Sequence, residues 1–64
     1  MKVLIVDGVG NAVVYERQKD ALWIETPGHH VFIKTREMFE GMEVYRLKDG
    51  GMPAIRHVYQ RLAA

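Results

Sequence analysis

A chain of 64 residues that contains no cysteine has to hold its fold together by packing alone. The disulfides that staple small secreted scaffolds and the thiolates that anchor structural zinc are both missing. At this length folding buries only about 60% of the unfolded chain's surface, so the core is thin. Nearly half the residues are apolar and the charges almost cancel at a formal +1, which is the balance of a globular chain rather than a disordered one. Association of copies is the remaining usual route to stability, so the expectation is a single-domain homodimer in a cytoplasmic setting. The longest apolar run, Val3-Leu4-Ile5-Val6, falls far below the roughly 20 residues that span a bilayer, and no membrane role is expected.

Hydrophobic patterning predicts an α+β fold: a small antiparallel meander of about five short strands, partly barrelled, followed by a C-terminal amphipathic helix. The strands are read at 2–7, 12–17, 21–26, 30–34 and 42–48, and the helix at 53–63. Lys2 to Asp7 is apolar on both faces, as a central strand should be. The Asp7-Gly8-Val9-Gly10-Asn11 run tolerates positive φ and closes a hairpin onto 12–17. Pro27-Gly28 fits the two central positions of a type II turn. Leu22 and Ile24 share one face of the third strand and Val31 and Ile33 one face of the fourth, with Trp23 and Phe32 on the face opposite them. Thr35 caps a single helical turn over 36–40, ended by Gly41. After Pro53, the apolar residues Ile55, Val58, Tyr59 and Leu62 fall at i, i+3, i+4 and i+7 and predict the helix.

Chemical motifs fail at identifiable positions. Lys2 to Gly10 resembles the first strand and turn of a dinucleotide-binding fold, but Val13 stands where the third glycine of G-x-G-x-x-G belongs, and the chain is too short for βαβ units. The same strand resembles the opening of receiver domains, with only Asp7 where an acidic pair is required. His29 and His30 are neighbours, so a strand points them to opposite faces, and His57 is the only other imidazole; no metal and no cofactor are expected. There is no serine, neither Thr26 nor Thr35 lies in a nucleophile motif, and the glutamates have no evident enclosed pocket. The chain is therefore expected not to be an enzyme.

Two features carry positive content. The C-terminal segment bears Arg56, His57, Gln60 and Arg61, with Arg46 and Lys48 upstream, a basic surface suited to phosphates or to an acidic protein. The sheet carries large adhesive side chains, chiefly Trp23 and Phe32, with Met38 and Phe39 nearby, of the kinds enriched in interface cores. The expected function is a non-enzymatic binding protein that occupies a surface on a larger protein as inhibitor, adaptor or assembly factor, a profile shared by small phage and mobile-element proteins. Its contact residues are read as Trp23, Phe32, Met38, Phe39, Arg56, His57, Gln60 and Arg61. The alternative is a homodimeric regulator that binds RNA or DNA through the basic helix and the sheet aromatics. A strand meander followed by a helix containing Tyr59-Gln60-Arg61 is loosely similar to the carbon storage regulator family of RNA-binding dimers. The likeness covers shape and those residues, and Val3 to Asp7 lacks the basic character of an RNA-binding edge.

Overall fold

The computed structural model describes residues 1–17 and 20–59. Six strands form one mixed sheet that curls into a half-barrel: β1 (Lys2–Val6), β2 (Asn11–Glu16), β3 (Trp23–Thr26), β4 (His30–Phe39), β5 (Met42–Leu47) and β6 (His57–Tyr59). The strand order is β3-β4-β5-β1-β2-β6, with β1 parallel to β5, β2 parallel to β6 and every other pair antiparallel. The apolar run of β1 indeed lies in mid-sheet, where both faces need covering. Its hairpin to β2 is organised by Asp7, whose Oδ1 accepts from the Val9 and Asn11 N–H groups at 3.0 and 2.9 Å.

Four sequence expectations are corrected. First, the fold is not α+β: no helix occurs among the described residues, and 51–56 run as a strap without regular structure before β6. Residues 60–63 of the expected helix lie outside the described residues. The i, i+3 spacing of Ile55 and Val58 suits a helix stripe, yet both residues pack against Leu4, Val6, Ala12 and Val44 from a non-helical chain. An open β2 edge and the strand-favouring run His57-Val58-Tyr59 decide the outcome. Second, the sheet is a six-stranded mixed one rather than a five-stranded meander, because β5 returns to lie parallel beside β1.

Third, 36–40 form no helical turn. β4 continues to Phe39, with an irregularity between Lys34 and Met38 where Thr35 Oγ1 donates to the Val44 carbonyl at 2.8 Å. Glu40 and Gly41, at φ 50° and 82°, then make the two-residue turn into β5. Fourth, the face assignment of Trp23 and Phe32 is reversed. The type II turn forms as expected, with Gly28 at φ 92° and the His29 N–H bonded to the Thr26 carbonyl at 3.2 Å. His29, at φ 65°, adds a third loop residue, so Thr26 faces His30 and Trp23 faces Ile33. A one-residue slip in register exchanges the faces of a strand.

Each face of the sheet holds an apolar cluster. On one, Val3, Ile24, Phe32 and Tyr45 are buried with Ile5, Tyr15 and Leu47 packed around them. On the other, Leu4, Val6, Ala12 and Val44 are buried beneath Ile55 and Val58. The first is called the core face and the second the strap face.

Candidate functional site

Pairing alternation puts Trp23, Val31 and Ile33 together on the strap face, at the β3–β4 end. The strap packs on the β5–β1–β2 part of that face, which leaves Val31 half-buried and the others uncovered: Trp23 is 54% exposed, Ile33 41% and Met52, at the start of the strap, 67%. Two recesses open onto this shelf. One, of about 320 Å³, is lined by Trp23, Glu25, Val31, Ile33 and Lys48. The second, of about 370 Å³, continues past Ile33 and Lys48 to Thr35, Arg46 and Met52. The shared residues make one shallow apolar trough with Lys48 and Glu25 at its rim. Contiguous apolar surface of this kind marks a contact site more often than scattered exposed side chains do.

The floor at the strap end is held by a buried cation. Arg46 is 7% exposed. Its Nε and Nη2 donate to the two Glu37 carboxylate oxygens at 2.6 and 2.9 Å, and its Nη1 donates to the Pro53 carbonyl at 2.6 Å. The two-pronged pairing with Glu37 holds the guanidinium in place on the sheet, and its bond to the Pro53 carbonyl ties the strap to it. The hydrogen bonds from Arg46 hold the Glu37 carboxyl below the usual carboxylate range, and the same contact raises Arg46. Arg46 therefore does not belong to an open basic surface. Lys34 is also engaged, on the core face, where its Nζ lies 2.8 Å from Glu43 and 3.2 Å from Asp20; hydrogen bonding to Glu43, then to Asp20, raises its pKa. Lys48 has no side-chain partner among the described residues.

The residues expected to form the site are dispersed. Trp23 sits on the trough. Phe32, 9% exposed, is part of the core on the opposite face. Met38 is exposed opposite Glu43 near the β4–β5 turn, and Phe39 packs beside Met42 on the strap-face cluster. Arg56 and His57 are exposed on the β2–β6 side of the sheet, where the His57 and Tyr59 rings lie with centroids 4.3 Å apart, tilted 46° to each other. Gln60 and Arg61 lie outside the described residues. Val31, Ile33, Lys48 and Met52 were not among the contact residues expected from the sequence; for Val31 and Ile33 the signal is the third loop residue, His29, which turns them toward Trp23.

No group of three or more His, Asp or Glu side chains among the described residues is placed to hold a metal ion, and these residues form no helix long and apolar enough to cross a membrane. No family model, curated protein or solved structure matches the chain.

Proposed function

We propose that this chain is a non-enzymatic, intracellular binding protein that acts sterically, by laying the Trp23–Val31–Ile33–Met52 trough on a larger protein. The observation that supports the reading is the unequal cover of the strap face. One half is sealed by Ile55 and Val58, while the other presents Trp23, Ile33 and Met52 to solvent, with Val31 half-buried among them. Trp is the strongest anchor residue in protein interfaces, and a central aromatic within an apolar recess with charges at the rim is the usual anatomy of such a contact. The lack of cysteine supports the intracellular setting.

A second reading, binding of RNA, is favoured by the exposed His57–Tyr59 ring pair beside Arg56. One capture experiment separates the two. Tagged wild-type protein, Trp23→Ala, Met38→Ala and Arg56→Ala/Tyr59→Ala are exposed to extract from the source cells, washed at rising salt, and the retained material is identified. The trough reading expects a protein that survives high salt, is kept by Met38→Ala and is reduced at least about tenfold by Trp23→Ala. Retained RNA that salt releases, unaffected by Trp23→Ala and lost in Arg56→Ala/Tyr59→Ala, supports the second reading instead.

A further inference from the structure

We infer that two copies of this chain pair edge to edge through β3. In the β3–β4 ladder the Leu22 carbonyl accepts from the Lys34 N–H at 2.9 Å. Alternation then turns the backbone groups of Ile24 and Thr26 toward β4, and those of Trp23 and Glu25 away from the sheet. β3 is the outermost strand, so these N–H and C=O groups have no partner among the described residues. The open stretch is closed off at both ends. On one side the Ala21 N–H donates to Asp20 Oδ1 at 3.1 Å and its carbonyl accepts from the Tyr45 hydroxyl at 2.6 Å. On the other stands Pro27, which has no N–H to offer.

Two open residues spaced i, i+2 are complementary to themselves in one antiparallel register. With Ile24 on the two-fold axis, Trp23 lies opposite Glu25 of the second copy and each such pair exchanges two hydrogen bonds, four in all. A register centred on Glu25 brings two carboxylates face to face and sets Trp23 against Pro27. A register centred on Trp23 sets Glu25 against the occupied Ala21. The Ile24-centred pairing also joins the two core-face clusters, since Ile24 belongs to each, and it covers an edge that carries no Lys, Pro or bulge to deter pairing. A sheet continued across an axis normal to it keeps both strap faces on one side. The pairing therefore places two Trp23 troughs side by side and leaves both open, so it is independent of whether the trough binds a partner.

The test follows amide exchange and molecular mass together on wild-type protein from micromolar to millimolar concentration. The expected result is a shift from one chain to two by light scattering, with the Trp23 and Glu25 amides gaining about tenfold or more protection as the dimer forms. Glu25→Pro, which removes the outward N–H along with the carboxylate beside His29, should raise the dimer dissociation constant by about tenfold or more, whereas Glu25→Ala, which removes the carboxylate and keeps the N–H, should change it far less. A single-chain mass throughout overturns the proposal, as does a dimer in which those two amides exchange as fast as in the monomer. Protection that appears only when a foreign protein is added to a monomeric chain assigns the edge to that protein and also overturns it. These outcomes concern backbone amides and mass, whereas failure of the trough reading appears as capture insensitive to Trp23→Ala.

Discussion

Arg46 illustrates how one side chain can serve a surface without being part of it. Its guanidinium is committed to Glu37 and to the Pro53 carbonyl, so it sets where the strap starts across the sheet and hence how much of the strap face stays bare. The contact carries a pH signature. Glu37 is held below the usual carboxylate range in the folded protein. Its contribution to stability is complete above the unfolded carboxylate's pKa and is lost as pH falls through the lower folded value. Thermal unfolding measured from pH 7 to pH 3 should therefore show the wild-type midpoint falling further in acid than that of Glu37→Gln; parallel curves would contradict the assignment. Little of this was legible beforehand. A charged residue in an alternating strand reads as solvent-facing, and the partner that buries Arg46 lies across the β4–β5 ladder, next to an irregularity that no spacing rule announces. Trp23 was legible as an adhesive residue, but its neighbours were not, because they depend on His29 adopting a positive φ after a well-formed turn.

At the level of elements, the early hairpin, the central place of β1 and the Pro27-Gly28 turn follow from apolar runs and turn residues that local chemistry specifies. The strap and β6 do not, because their conformation is dictated by what they meet. Ile55 and Val58 satisfy a helix stripe, yet the open β2 edge offers backbone pairing and an apolar bed, and tertiary contact overrides the local pattern. Gly10 is the point on which this docking depends. Its carbonyl accepts from the Arg56 N–H at 2.8 Å, its φ is 92°, and a Cβ built on it would lie 2.2 Å from the Ala54 carbonyl oxygen. Gly10→Ala should cost about 2 kcal/mol, read by chemical denaturation. It should also speed amide exchange at Val58 more than at Val44. Unchanged stability would mean that the strap does not approach the turn this closely.

Across the whole molecule, a half-barrel of six strands has more face than one thin chain can cover. The strap seals the β1–β2 side, the core cluster seals the other face, and the β3–β4 corner keeps an exposed trough beside an unpaired edge. The proposed partner occupies the trough and the proposed second copy occupies the edge, so neither competes with the other. Trp23 is the sole tryptophan and lies in the trough, which makes its fluorescence a direct report on that surface. When the protein retained in the capture experiment is titrated against the wild-type chain, Trp23 emission should shift to the blue and become protected from acrylamide quenching in step with binding. Stoichiometric binding that leaves both the emission maximum and the quenching unchanged would show that the partner sits elsewhere and that the trough is not the working surface.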